Sequence, residues 1–217
     1  MFPLYDTQRS RHFPLMNWIL ILLNGIAFYY EVTMNEAELF RFIHTWGLVP
    51  ANLAVSNPDT WLNILTSMFL HGGWFHILSN MWILIIFGDN VEDKLGSIRY
   101  LIFYLLSGTA AALLQVYFDP ASTVPMIGAS GAIAGILGAY LILFPHSRVA
   151  SIVPIFFIFT IVELPALVFL GFWFVSQLFS GWLALQGADA SNVAWWAHIG
   201  GFVFGILMVR LFVRRRY

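Results

Sequence analysis

The sequence predicts an all-α membrane protein of six transmembrane helices with both termini in the cytoplasm. Composition is the first observation behind this. Of 217 residues, 60% are hydrophobic and only 10% charged, against about 45–50% and about 25% in soluble domains. Mean hydropathy is +0.80. The second is a set of six apolar stretches, each near the ~20 helical residues that cross a hydrocarbon core of about 30 Å. The third is the placement of Lys and Arg. With six alternating spans, Arg9, Arg11, Lys94, Arg99, Arg148, Arg210, Arg214, Arg215 and Arg216 fall on one side and only Arg41 on the other. Cytoplasmic loops carry the excess of positive charge, so the larger group lies inside. A missing span would scramble the tally.

Other classes are excluded on the same grounds. The net charge of −1 offers no basic surface for nucleic acid. With no cysteine, disulfides, thiolate metal sites and a cysteine nucleophile are ruled out. The length suits one membrane domain, 1–217. Residues 1–13 form a cytoplasmic N-terminal segment, 31–60 an outer loop and 214–217 a basic cytoplasmic tail. The compact form, with no added domain or targeting segment, points to a prokaryotic plasma membrane.

Span one is Pro14 to Tyr30. "AFYYEV" after it offers no small-residue cleavage site, so it is a retained anchor. In the outer loop, amphipathic "AELFRFIHTWGLVP" suits the membrane interface. Span two lies within Trp61 to Phe87 and begins near His71 or later, because Gly72-Gly73 weakens a helix there. Span three is Ile98 to Tyr117, and span four about Ile127 to Phe144. Ile152 to Leu185 is too long for one span and is cut by Pro154 and Pro165. Between these, "IFFIFTIVEL" is β-branched and aromatic and reads as extended or re-entrant. Span five follows Pro165, which suits a first helical turn, and runs to Leu185. Span six is Val193 to Val213.

Four polar residues need a reason to lie in lipid. His76 and Asn80 share a face of span two at i, i+4 spacing. Ser130 begins span four, and His198 lies near the start of span six. In this topology spans two, four and six all run from outside inward, so the four residues share one depth near the outer surface. Singly, each has an ordinary reading. A serine in a Gly/Ala helix is packing chemistry, a buried histidine binds a carbonyl, and an asparagine joins helices. Together they read as a nucleophile, its base and oxyanion donors.

A serine needs its base within about 3 Å, which requires close backbones. Span four carries Ser130, Ala134 and Gly138 as a small stripe. Span six carries His198, Gly201 and Gly205, the last two a GxxxG pair. The glycines therefore set the distance between alcohol and imidazole. No Asp or Glu lies near these positions, so the expected unit is a dyad rather than a triad. The Ser130 backbone N–H joins His76 and Asn80 as an oxyanion donor.

These residues resemble the motifs of the rhomboid family of intramembrane serine proteases. "FLHGGWFHILSNM" is similar to the family's His-x-x-x-Asn motif, and "GDNVEDKLGS", with Gly88, Glu92 and Gly96, to the turn that follows it. "GASGAIAGILGAY" resembles the Gly-x-Ser-Gly nucleophile motif and "AWWAHIGGF" the Ala-His-x-x-Gly base motif. The resemblance implies a six-transmembrane-helix rhomboid-like bundle with a Ser130–His198 dyad. It assigns oxyanion stabilisation to His76 and Asn80 and gives His71 a supporting role, with Gly128, Gly131 and Gly201 as supporting positions within the motifs. It implies a water-filled cavity open to the outside, no cofactor and no metal. Substrates would be transmembrane proteins cut in or near their membrane segment, where an unwound helix exposes its peptide bonds. Span five would be a lateral gate with Phe172, Trp173, Phe179 and Trp182, which read equally well as lipid-facing aromatics. Loop five, Gln186 to Asn192, would be a flexible cap. Glu92 reads as structural.

Rival classes fit less well. An α/β-hydrolase elbow needs Gly-x-Ser-x-Gly after a strand, but Ala132 holds the last place. A metal hydrolase would draw on His71, His76 and His198, yet no acidic residue joins them. A non-catalytic rhomboid-like protein that binds membrane helices would lack the Ser or His. A transporter would display repeats and broken-helix pairs.

Overall fold

The computed structural model describes residues 1–53, 58–155, 158–188, 191 and 193–214. The end of the basic tail (215–217), part of loop five (189, 190 and 192) and residues 156–157 of the extended stretch lie outside the described residues. Strand β1 (Phe2–Asp6) leads into α1 (Leu15–Val32). The loop after α1 holds α2 (Glu36–Trp46), which starts with a capping box between Asn35 and Glu38. Helix α3 (Asp59–Thr66) ends in a 3₁₀ turn before α4 (Trp74–Ile83). A π-helical turn, Leu84–Gly88, joins α4 to α5 (Asp89–Leu95). Then follow α6 (Ser97–Phe118), α7 (Ser130–Leu143), strands β2 (Arg148–Ile155) and β3 (Ile158–Pro165), α8 (Ala166–Leu185) and α9 (Trp195–Phe212).

Helices α1, α6, α8 and α9 are each long and apolar enough to cross a membrane. The segment Thr60–Phe69 and the helix running from Trp74 to Leu95 add one bent pair at 81°. The bend falls at Gly72-Gly73, as the glycines predict. The fourth apolar stretch departs from expectation. Its helix has only 14 residues and starts at Ser130 rather than Ile127. That is about 21 Å at 1.5 Å per residue, too short for a hydrocarbon core by itself. The physical reason is position. Ten of its residues, from Gly131 to Tyr140, are buried, so α7 is wrapped by other helices and its length is not set by lipid.

The all-α expectation also needs correcting. The stretch read as extended carries β3, and the residues just before it, not expected to be a strand, form β2; the two pair antiparallel from Arg148–Pro165 to Ile155–Ile158. The N-terminal segment supplies β1, antiparallel to β2 with a bulge between Pro3 and Tyr5. This strand is held from several sides. Trp82 Nε1 donates to the Pro3 carbonyl at 2.7 Å, and Phe2 stacks on Trp82. The Asp6 carboxylate accepts from the Tyr140 hydroxyl and from Asn90 Nδ2 at 3.0 Å.

Glu92 is structural in a specific way. Its buried carboxylate accepts from the N–H groups of Met16 at 3.0 Å and Asn17 at 2.7 Å, and from Ser97 Oγ at 2.5 Å. It thereby supplies the anion that the start of α1 lacks. Asn17 then donates to the Leu84 carbonyl at 2.9 Å, at the π-helical turn, and accepts from Tyr100 Oη at 2.7 Å. The buried polar groups at this end thus fix α1 against α5 and α6.

Candidate active site

The loop entering α7 is shaped by Gly128. Its φ of +120° lies in a region that L side chains rarely adopt, and a Cβ there would stand 2.6 Å from His76 Nε2 and 3.7 Å from Ser130 Oγ. Its N–H donates to the Ser67 carbonyl at 2.9 Å. The chain turns and begins α7 at Ser130, whose backbone N–H is one of the four that a helix start leaves without an internal partner. His198 lies one turn inside α9.

Contact between α7 and α9 is closer than side chains permit. A Cβ on Gly201 would stand 1.9 Å from the Gly131 carbonyl oxygen, one on Gly205 2.1 Å from that of Gly135, and one on Gly138 2.2 Å from that of Phe202. The seam on α7 is thus Gly131, Gly135 and Gly138, with Ala134 beside it, slightly rotated from the Ser130–Ala134–Gly138 stripe expected. At its head Ser130 Oγ and His198 Nε2 are 2.8 Å apart.

His198 has a second partner that the sequence reading missed. Gln177 Oε1, on α8, lies 2.8 Å from His198 Nδ1, and the Gln177 side chain is buried. The signal was present, since Gln177 is a polar amide in an apolar helix and its cost in lipid is of the kind that marked Asn80. Trp173 sits beside the imidazole, with ring centroids 6.2 Å apart, and packs on Phe202. Phe172, Phe179 and Trp182 face outward and are exposed. The four aromatics therefore do not share one face, and only Trp173 touches the site. Trp195 meets His198 edge-on at 6.0 Å.

His76 and Asn80 lie on the first two turns of α4. The Gly72 N–H donates to His76 Nδ1 at 3.3 Å. This leaves the proton of a neutral imidazole on Nε2, the atom that faces Gly128 and the Ser130 side. Asn80 is buried, and its Nδ2 has no hydrogen-bond partner among the described residues. An orphaned buried donor costs about 1–3 kcal/mol, so its place here calls for an acceptor. His71 packs edge-on against His76 with centroids 5.0 Å apart. Its backbone N–H donates to both carboxylate oxygens of Glu31 at 3.2 Å.

A cavity of about 20 Å³ adjoins Ser130, lined also by Ser67, Met68, Gly128 and Gly131. That is room for about one water molecule, much less than a wide aqueous chamber. A larger cavity of about 360 Å³ lies beyond it, bounded by Pro50, Gln115, Trp195 and Trp196. Among the described residues, no three His, Asp or Glu side chains are placed to hold a metal ion, so His71, His76 and His198 do not form such a set.

This arrangement sets an alcohol against an imidazole nitrogen, with N–H groups at a helix start and on α4 at the same end of the bundle. Comparison with known proteins points the same way. The Rhomboid domain family profile matches residues 58–215. Rhomboid protein 1, mitochondrial, of Saccharomyces cerevisiae is 26% identical over 241 residues, covering 95% of this chain and 66% of its own length. Rhomboid-like protease 5 of Toxoplasma gondii is 32% identical over 179 residues, covering 77% of this chain and 18% of its own. A plant relative named Inactive RHOMBOID-like protein 8, from Arabidopsis thaliana, is 34% identical over 111 residues, 48% of this chain and 31% of its own. The chain spans less than two thirds of the length of the curated relatives it matches. With a profile match over most of its length, carrying the helices that build the site, the chain belongs to the rhomboid family.

Proposed function

We propose that this chain is an intramembrane serine endopeptidase. Ser130 is the nucleophile and His198 the base. The observation that carries the reading is the 2.8 Å approach of Ser130 Oγ to His198 Nε2, within the reach that general-base activation needs. As Oγ attacks a peptide carbonyl carbon, the hydroxyl proton passes to Nε2. The negative charge moves to the carbonyl oxygen, where the Ser130 N–H, His76 Nε2–H and Asn80 Nδ2–H receive it. When the tetrahedral centre collapses, the C–N bond breaks and the leaving amine takes the proton from His198. Water then repeats the sequence on the acyl-enzyme, its proton going to His198 and the acid product leaving Ser130.

In this reading α1, α4–α5, α6, α7, α8 and α9 are six membrane passes of a single domain. Both termini and the sheet lie in the cytoplasm, and the site faces the outer side of a prokaryotic plasma membrane. Its partners are transmembrane protein substrates and the bilayer itself. The charge asymmetry supports the orientation. The inactive relative frames the alternative, a helix-binding protein without catalysis. The hydrogen-bonded Ser130–His198 pair favours the enzyme, because such a binder has no use for an activated alcohol.

The test is covalent labelling of the purified chain by a fluorophosphonate. Wild type is expected to be labelled at Ser130, and the His198→Ala variant is expected to stay unlabelled. Labelling elsewhere, or equal labelling of both, would overturn the assignment. Asn80→Ala is expected to lower kcat for a transmembrane reporter on the order of 10²-fold, as loss of one oxyanion donor does. KM should change little, because the donor acts on charge absent from the ground state. A loss equal to that of Ser130→Ala would mean that Asn80 does more than stabilise charge.

A further inference from the structure

We infer that Gln177 is a positioning residue that fixes the tautomer and direction of His198, making the working unit Ser130–His198–Gln177. The inference rests on the protease reading above and deepens it. A neutral imidazole has one N–H and one lone pair, and only the tautomer with its lone pair on Nε2 can take a proton from Ser130. Something must therefore hold the proton on Nδ1. A carboxylate does this in the familiar triads, and no carboxylate reaches His198 among the described residues.

The orientation of the Gln177 amide follows from its other contacts. Its Nε2 lies 3.3 Å from the Trp173 carbonyl oxygen and 3.0 Å from Ser176 Oγ. A carbonyl only accepts, so the amide nitrogen must face it. The Ser176 hydroxyl already donates to that same carbonyl, at 2.5 Å, and is left to accept from Gln177. Both amide hydrogens are thus directed away from the imidazole, and the acceptor Oε1 faces Nδ1 at 2.8 Å. An acceptor there requires Nδ1 to carry hydrogen. The Nε2 lone pair then points at Ser130 Oγ, 2.8 Å away on the other side of the ring. The chain of constraint runs from one backbone carbonyl, through an amide, to the basic nitrogen.

A neutral amide orients the base and adds no charge. The imidazolium that forms as Ser130 attacks gains a hydrogen bond rather than an ion pair. The anchor also stands on α8, whereas Ser130 and His198 stand on α7 and α9. The aim of the base therefore depends on where α8 sits. Trp173, on the same turn of α8, packs against the imidazole from the side and limits its tilt.

The experiment compares wild type with Gln177→Met and Gln177→Glu, in detergent, by two readouts. Methionine fills nearly the same volume without an acceptor, and glutamate restores an acceptor oxygen at the same reach. The first readout is the fluorophosphonate labelling rate. Gln177→Met is expected to be slower by at least about tenfold, short of the ~10⁴-fold that a wrong tautomer costs a triad protease. Gln177→Glu is expected to recover most of that loss. The second is ¹⁵N NMR of histidine-labelled protein, with His198 assigned by comparison with His198→Ala. Wild type is expected to hold the proton on Nδ1, and Gln177→Met to be a mixture of tautomers. Wild-type labelling at Ser130 with unchanged rate and tautomer in Gln177→Met would overturn this inference and leave the protease reading standing. No labelling of wild type would remove both. A Gln177→Met rate loss that Gln177→Glu fails to recover, with the tautomer unchanged, would assign Gln177 to packing alone and also overturn the inference.

Discussion

Replacing Ser130 by alanine is expected to abolish cleavage of a transmembrane reporter while leaving the bundle folded. The two halves of this expectation have separate grounds. Removing a serine nucleophile costs on the order of 10⁶-fold in kcat where the nucleophile and base act as a unit. His76, Asn80 and the helix N-terminus would remain, but they stabilise a charge that no longer forms. The structural cost is small. The Ser130 hydroxyl bonds to His198, and loss of one such hydrogen bond is about 1 kcal/mol. The helix start, the Gly128 loop and the glycine seam do not depend on that oxygen. Purified wild type and variant would be compared by reporter cleavage in liposomes and by thermal unfolding. Full cleavage by Ser130→Ala would move the nucleophile elsewhere. Loss of cleavage together with collapse of the fold would leave the role of the hydroxyl to the labelling experiment. His198→Ala is expected to match Ser130→Ala in activity, because neither group works without the other.

The residues of this site were legible because lipid makes polarity conspicuous. His76, Asn80, Ser130 and His198 each stand out in an apolar stretch, and the fold brings Ser130 against His198. Gln177 carries the same signal but lies among the aromatics of α8, which drew attention to a gate. Its partner could not be guessed from spacing, because the contact depends on how α8 rotates against α9. The four long apolar helices α1, α6, α8 and α9 were legible from hydropathy alone, and α7 was not. A helix enclosed by other helices has no bilayer to set its length, so its 14 residues could not be read from apolar content. The sheet was half legible. β-branched and aromatic residues marked 155–164 as extended, but β1 pairs with β2, whose residues Val149–Ile152 lie far along the chain from Phe2–Asp6. Nothing local in "FPLYD" names that partner, since pairing in a strand exposed on one side is set by what the tertiary fold brings near.

The seam between α7 and α9 gives the second large expected effect. Gly201→Ala is expected both to destabilise the bundle and to silence Ser130, through a residue with no chemistry of its own. A Cβ on Gly201 would stand 1.9 Å from the Gly131 carbonyl oxygen and 3.3 Å from Ala134 Cβ. The first of these neighbours is backbone in a buried helix, which has no rotamer to yield, so the helices must separate by about 1 Å or more to reach ordinary contact. Overpacking of this kind costs about 1–3 kcal/mol, and more where backbone is struck. The same separation lengthens the 2.8 Å link between Ser130 and His198 beyond hydrogen-bond range, because both stand within one turn of the contact. A control of equal chemistry is Gly171→Ala on α8, where a Cβ would meet nothing within 4 Å. That change is expected to be neutral or to stabilise by about 0.4–1 kcal/mol. Thermal unfolding and fluorophosphonate labelling of the two variants separate the outcomes. A folded Gly201→Ala protein labelled at the wild-type rate would mean that α7 and α9 do not touch at this seam, and the source of the Ser130–His198 distance would have to be sought in another pair of helices.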